Sequence, residues 1–438
     1  MKPDLHEESD PQLSGEMQST VQSWIERFAA EPTVLSRYWY PLSVPAYDAL
    51  EITEALDSMC RFRTSMGTKT RQFERAFAEM SGSTDAIMVN SGSSADLLAA
   101  FLLNNPAKPL LQPGDEVLLP AVTWPTQIWS ILMAGFNGCL VDVDPQTLNM
   151  DPDDLRAKIT SKTKAIFVVH LMGCPMDMDV IQELADEYGL IILEDCCESL
   201  GATWDGQAVG TFGLAGTFSF FFSHHMTTME GGMITCQDEQ TASQLKSLRA
   251  HGWARDAVNS RDLADQYRCD PRYLFLNWGF NVRPTEVQAS FGLHQLNRLP
   301  TFNERRNQLA KQFHDYVDST PWLSRPAIPG KAQSSWFSLP LLVRNDAPFS
   351  RDQLATALEA AGVETRAIVT GNLARQPATQ LFPQLHTGHL PGADQVHDFG
   401  MYLGLSPGYN QEHIARLISV FESCIAELSG QRSNRRAA

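Results

Sequence analysis

The chain has 438 residues, 43% of them hydrophobic, and carries 34 Lys and Arg against 51 Asp and Glu, a formal charge of −17. This composition excludes a wholly disordered chain and is enough for a sizeable core divided among two or three structural units. So negative a surface argues against general binding to nucleic acid or an anionic membrane, because attraction to phosphate needs clustered Lys and Arg. Any anionic substrate must therefore be met by a local site.

The opening stretch MKPDLHEESDPQLSGEMQST is acidic and polar, without the apolar core of a secretory signal, and no run of about 18 apolar residues follows to span a bilayer. The expected compartment is the cytoplasm. Eight cysteines are scattered without CxC or CxxC spacing, which predicts reduced, mostly buried thiols rather than disulfides or a zinc site.

In chain order, residues 1–35 are expected to form a loose polar arm, and the aromatic stretch Tyr38-Trp39-Tyr40 beyond it to dock on the body of the protein. A large domain follows over 36–300. Between residues 86 and 236 short apolar runs alternate with longer helical patterns: AIMVN, EVLLP, CLVDV, AIFVV, LIILED, TFSFFF and MITC. These predict an α/β unit with a seven-stranded, mostly parallel sheet and helices on both faces. Residues 301–430 read differently. Helical RNQLAKQFHDYV, extended WFSLPLLVR and the helices RDQLATALEAAG and HIARLISVFESCIAEL predict a smaller α+β domain, followed by a frayed tail over 431–438.

Open α/β sheets bind ligands beyond the carboxyl ends of their strands, which directs attention to the residues after each run. Ser91-Gly92-Ser93-Ser94 opens a helix after the first run, and its free N–H groups suit either a phosphate or an ordinary serine cap. Trp124 follows the second run and either stacks on a planar ligand or plugs a seam. Asp195 closes LIILED and needs a cation, a donor or a capping role, because a buried carboxylate without a partner is costly. After TFSFFF come His224 and His225, then Gly231-Gly232. Adjacent side chains on an extended segment diverge, so these two imidazoles are not expected to chelate one metal. His386 and His389 fall in a Gly- and Pro-flanked loop and carry little metal signal.

Taken together, the Gly-Ser-Ser helix opening, the tryptophan, the strand-end aspartate and the Ser-Phe stretch before Gly-Gly resemble the DegT/DnrJ/EryC1/StrS family of fold-type I, pyridoxal-phosphate-dependent sugar aminotransferases. The likeness extends over about residues 40–425 and includes VDVDPQTLNMDP, VVHLMGCPMDMD, WGFNVRPTEVQAS and GVETRAI. It implies that Gly92, Ser93 and Ser219 hold the cofactor phosphate and that Trp124 stacks on the pyridine. Asp195 would pair with the ring nitrogen and make the ring an electron sink, and Glu198 would meet the hydroxyl side. Asn281 matches a residue that reaches the phosphate bound by a neighbouring subunit, which implies a homodimer with shared active sites.

One departure matters most. The family's aminotransferases carry lysine as the sixth residue of the Ser-Phe motif, and counting from Ser219 that position is His224. Imidazole moves protons near neutral pH but has no primary amine with which to anchor pyridoxal phosphate. The combination is similar to the family's sugar 3-dehydratase branch. That resemblance implies pyridoxamine phosphate formed in place from L-glutamate, and a nucleotide-linked 4-keto-6-deoxyhexose, GDP-4-keto-6-deoxymannose first, losing its C3 hydroxyl with His224 as base, on the way to a 3,6-dideoxysugar of lipopolysaccharide O-antigen. The CDP-sugar dehydratases of the same branch use an iron–sulfur cluster; Cys269 alone stands in the corresponding interval, so no cluster is expected. An aminotransferase variant and a non-catalytic cofactor-binding protein are the other readings. Arg255 and Arg366 are candidate anion contacts or surface ion-pair partners.

Overall fold

The computed structural model describes residues 11–30, 37–44, 46–106, 108–255 and 260–430; the side chains of 11–14 and 29–30 are excluded. The chain begins with α1 (Pro11–Ala30), α2 (Ala49–Cys60) and α3 (Thr68–Ser81), then enters an alternation of β1 (Asp85–Val89), α4 (Gly92–Leu103), β2 (Glu116–Pro120), α5 (Thr126–Met133), β3 (Asn137–Val141), α6 (Pro152–Lys158), β4 (Thr163–Val169), α7 (Met178–Tyr188) and β5 (Ile191–Asp195). A small hairpin, β6 (Thr203–Trp204) and β7 (Gln207–Ala208), precedes β8 (Ala215–Ser219), β9 (Gly232–Cys236), α8 (Glu239–Arg249), α9 (Ser260–Tyr267) and the long α10 (Glu286–Ser319). Beyond it lie β10 (Leu323–Ser324), β11 (Ala332–Gln333), β12 (Ser338–Val343), α11 (Arg351–Ala360), β13 (Thr365–Ala367), β14 (Leu385–His386), α12 (Pro391–Phe399), β15 (Gly400–Gly404) and α13 (Gln411–Leu428).

The seven expected runs form one sheet in the order β1-β9-β8-β5-β4-β2-β3, with β14 added at the edge beyond β3. Only β9 opposes its neighbours; the other pairings are parallel. Such strands are covered on both faces, which explains continuous apolar runs such as the wholly buried β2 in place of alternation. The eighth strand corrects the loop expected around His386: Leu385 and His386 pair with Gly138 and Cys139 of β3. Two residues between Gly and Pro carry too little pattern to announce a strand.

A further correction concerns the first part of the chain. Residues 11–30, expected within a loose arm, form α1, which lays buried Val21 toward α2 with Met17 and Ile25 half-buried on either side. The 17-21-25 spacing is helical, but Gln, Ser and Glu between these positions mask it. Residues 1–10, 31–36 and the tail 431–438 lie outside the described residues. The break expected at residue 300 meets α10, which runs on through Pro300 for 34 residues.

α10 spans two cores. The second is built around the sheet β10-β12-β15-β13 with α11 and α13, and Tyr40 belongs to it, its ring stacked on Tyr409 at 4.3 Å. Ile368, Leu373, Leu390 and Val396 return to the large-sheet core. The smaller sheet thus sits over the carboxyl ends of the large one.

Candidate active site

The residues after β1, β2, β4, β5 and β8 converge on one cavity of about 660 Å³, roofed by Phe337, Arg366, Val369 and Tyr402 from the smaller sheet and its flanks. Gly92, Ser93, Trp124, Asp195, Glu198, Ser219 and His224 all line it. Asn281 does not. It is exposed, its backbone bridges to Ala250, and its Oδ1 accepts from Arg283 Nε at 3.0 Å.

The floor of the cavity is the start of α4. Ser91 Oγ accepts the Ser94 N–H at 3.1 Å as N-cap and leaves the N–H groups of Gly92 and Ser93 free at the positive end of the helix. Gly92 is required by close packing: a Cβ there would lie 2.5 Å from Ser219 Cβ and 3.1 Å from Cys197 Sγ. Gly232 is required on the other side, where a Cβ would meet the Ser91 carbonyl oxygen at 2.4 Å. The two glycines bring β8, β9 and the α4 N-terminus together into a cradle rich in donors.

Asp195 ends β5 and accepts the Cys197 N–H at 2.8 Å. Facing it is Asp96 of α4, which sequence reasoning passed over although it interrupts the otherwise apolar helix ADLLAAFLL. Asp96 accepts from Thr217 Oγ1 at 2.7 Å and Thr126 Oγ1 at 2.8 Å. Burial, and then the neighbouring Asp195, push the Asp96 carboxyl well above the carboxylate range; burial also raises Asp195, against the pull of the Cys197 N–H and of His170. A buried pair of carboxylates calls for one positive charge or one shared proton. Glu198 accepts the Met172 N–H at 2.9 Å and is pushed up to about 7 by burial and, more weakly, by Asp195. Trp124, 57% exposed, stands at the mouth of the cavity.

His224 lies in a turn, not at the strand end expected for it. β8 stops at Ser219 because the chain folds back on itself: Phe220 O accepts the Thr228 N–H at 2.9 Å, and Phe220 N–H binds Gly231 O at 2.9 Å. The two histidines nevertheless diverge. His224 faces the cavity between Phe337 and Phe221, with ring centroids at 5.1 and 5.9 Å, and its Nδ1 is buried without a hydrogen-bond partner. His225 turns away to the Ser335 carbonyl oxygen at 3.1 Å. Burial, then the Arg306 charge, hold the His224 imidazole down at about 3, so at neutral pH it is uncharged. Among the described residues no lysine lines the cavity.

Of the two candidate anion contacts, Arg366 lines the cavity and is held by Glu364 Oε1 at 2.7 Å, whereas Arg255 stacks over Trp253 at 4.3 Å outside it. Gln127, also unforeseen, lines the cavity with a buried Nε2 that has no partner among the described residues. Among the described residues two trios of potential metal ligands come together, His170–Glu194–Cys196 and Asp96–Asp195–Cys197, each with one thiol. In the first, Glu194 is already occupied by the N–H groups of Gly210, Phe212 and Gly213, and His170 Nδ1 by that of Met176.

Residues 46–422 match the DegT/DnrJ/EryC1/StrS aminotransferase family. The chain belongs to that family. Among family relatives, the GDP-4-keto-6-deoxy-D-mannose 3-dehydratase of Yersinia pseudotuberculosis is 38% identical over 387 residues, covering 87% of this chain and 98% of the relative. The lipopolysaccharide biosynthesis protein RfbH of Salmonella typhimurium is 31% identical over 415 residues, covering 91% and 94%. A solved structure, GDP-4-keto-6-deoxymannose-3-dehydratase with a trapped PLP-glutamate geminal diamine, is 36% identical and superimposes with a TM-score of 0.83 over 87% of this chain and all of that one. The large sheet with helices on both faces and the smaller sheet above it are the aminotransferase fold of this family.

Proposed function

We propose that this chain removes the C3 hydroxyl of a nucleotide-linked 4-keto-6-deoxyhexose, GDP-4-keto-6-deoxymannose, with release of ammonia, using pyridoxal phosphate aminated in place by L-glutamate. The observation that carries the reading is a half-buried, neutral imidazole, His224, in a cavity that, among the described residues, no lysine lines. The relatives named for that reaction support the choice of substrate and nucleotide, and the relative trapped with a glutamate adduct supports the amino donor.

The residues fit a phosphorylated pyridine. The cradle that a Cβ on Gly92 would fill offers N–H groups to a phosphate, and the buried Asp96–Asp195 pair, raised in pKa by burial, offers carboxylates to a protonated ring nitrogen. Once bound, the cofactor supplies an electron sink and, in its aminated form, a primary amine for the C4 ketone. The chain supplies the rest. Gly92, Ser93 and Ser219 hold the phosphate, Trp124 covers the ring, Asp195 keeps the ring nitrogen protonated, and Glu198 meets the ring hydroxyl. His224 takes the proton beside the reacting amine and returns one as the C3 hydroxyl leaves as water. Two electrons from glutamate, oxidised to 2-oxoglutarate, balance the reduction at C3, and the amine is lost as ammonia.

A homodimer with shared sites is part of the proposal. Asn281 is exposed away from its own cavity, and Tyr273, Phe275 and Trp278 just before it are 47–65% exposed, an apolar surface suited to a second copy. The test is ammonia release from GDP-, CDP-, dTDP- and UDP-linked 4-ketosugars by the glutamate-treated protein. His224→Asn is expected to keep cofactor binding, to form 2-oxoglutarate only to the extent that an external base replaces the imidazole, and to release no ammonia. Full turnover by that variant would refute the assignment. His224→Lys is expected to gain a borohydride-reducible adduct with pyridoxal phosphate.

A further inference from the structure

Arg306 is buried to 2% exposure in the middle of α10, and among the described residues no carboxylate pairs with it. Such a cation is costly to bury and survives only where polar groups take over from water. Here those groups are main-chain carbonyls. Nη2 donates to His224 O at 3.2 Å, and Nη1 donates to Phe337 O at 3.1 Å and to Leu405 O, while Nε has no partner. These three acceptors belong to the His224 turn, to the segment just before β12 and to the segment after β15. One guanidinium therefore ties the turn that carries the imidazole to both sides of the cavity roof. Phe337, whose carbonyl it holds, also packs its ring against the His224 ring.

We propose that Arg306 is the positioning residue for His224: its fork fixes the His224 turn against the roof of the cavity, and in doing so holds an unpaired positive charge directly behind that turn. The inference rests on the reading of His224 as the base. A planar fork can hold three carbonyls at once, which the single ammonium of lysine cannot do with the same geometry. The other titratable groups around His224 leave this role to Arg306. Across the cavity stand Asp195, Cys197, Glu198, Glu230, Arg366 and Tyr402, none hydrogen bonded to the ring, and behind it His225 is neutral and engaged with Ser335. Burial is the largest cause of the depressed imidazole pKa and Arg306 the second.

The experiment is a titration of the His224 ring by NMR in histidine-labelled, cofactor-loaded protein, its signal assigned by loss in His224→Asn, together with the pH profile of ammonia release. Arg306→Met is expected to raise the His224 pKa by about one unit and to move the acid limb of the profile with it. Arg306→Lys is expected to keep the pKa near wild type and to lower kcat about tenfold or more at unchanged KM, because the charge remains and the fork is lost. An unshifted His224 titration in folded Arg306→Met overturns the electrostatic role. Should that variant not fold, the lysine variant decides: a lowered kcat at constant KM supports positioning, and wild-type kcat overturns it. A wild-type protein that releases no ammonia from any 4-ketosugar refutes the functional reading, while the NMR titration still tests Arg306.

Discussion

Asp96 and Asp195 present their carboxylates to one another inside the protein, with a ligand atom from each and from Cys197 lying within 4.8 Å of one another. Burial raises both pKa values, and the Asp195 charge adds to the rise at Asp96. A protonated pyridine nitrogen turns the same arrangement into a charge-assisted hydrogen bond. Asp195→Asn is therefore expected to weaken retention of pyridoxal phosphate by about 30-fold or more, the equivalent of ~2 kcal/mol or above. The ligand-free variant should melt no lower than wild type, because one of two repelling charges is gone. Retention by dialysis and thermal melts with and without cofactor check both halves; unchanged retention would show that Asp195 does not meet the ring nitrogen.

Glu198 gives a pH dependence of stability with a definite sign. Its folded pKa of about 7 lies above the ordinary 4.5, so the folded protein holds this proton more tightly than the unfolded chain. The associated stability is fully present below pH 4.5 and is lost as pH rises through about 7. Asp96 and Asp195 act in the same direction. The depressed pKa values of His224 and His225 act in the opposite direction but are common to both proteins, so the test is the comparison: between pH 5 and pH 8, ligand-free Glu198→Gln should lose less melting temperature than ligand-free wild type. A difference as wide as in wild type would mean that Glu198 is ionised throughout.

Much of this site could be read in the sequence for a geometric reason. Parallel strands point their carboxyl ends the same way, so Gly92, Trp124, Asp195 and Ser219, each just after or at the end of an apolar run, had to assemble at one edge of the sheet. What stayed hidden arrives from far along the chain or without a local pattern. Arg306 and Phe337 reach His224 from 82 and 113 residues away, and nothing in α10 distinguishes a buried arginine from the solvated ones beside it. Asp96 was legible in principle, as a lone charge in an apolar helix. The strand β14 and helix α1 were missed because two residues, or a polar-looking stretch, leave little periodicity to detect. Asn281 was placed by resemblance alone, since its partner would lie on another copy.

The Gly92 contact predicts a steric defect confined to the phosphate cradle. A methyl group there would sit 2.5 Å from Ser219 Cβ, and neither side can retreat easily, because Ser219 pairs with Gly232 at the end of β8 and Gly232 abuts Ser91. Gly92→Ala should push β8 away from the α4 N-terminus, costing ~1–3 kcal/mol of stability by overpacking and weakening pyridoxal phosphate binding more than it lowers the melting temperature. Gly15→Ala, at an exposed helical position with open space around it, is the control and should leave cofactor affinity unchanged while raising stability slightly, by about 0.5–1 kcal/mol of helix propensity. Cofactor titration followed by absorbance, alongside melts, separates the two effects; normal affinity in Gly92→Ala would remove this cradle from the phosphate site.

Asn281 permits a test of shared active sites that does not depend on how tightly any one variant holds the cofactor. If each cavity combines His224 of one subunit with Asn281 of the other, then His224→Asn and Asn281→Ala are defects in different halves of the same site. Each variant alone should be impaired, the second through loss of cofactor. After subunits are mixed and exchanged at equal concentration, half of the dimers are heterodimers, and one of the two cavities in each has both native residues. Ammonia release should then recover to about a quarter of the wild-type rate per subunit. Recovery requires that the protein associate and that the two residues serve one cavity from different chains. Mixed samples no more active than the average of the separate variants, under conditions where exchange is verified by mass, would place Asn281 outside the catalytic assembly.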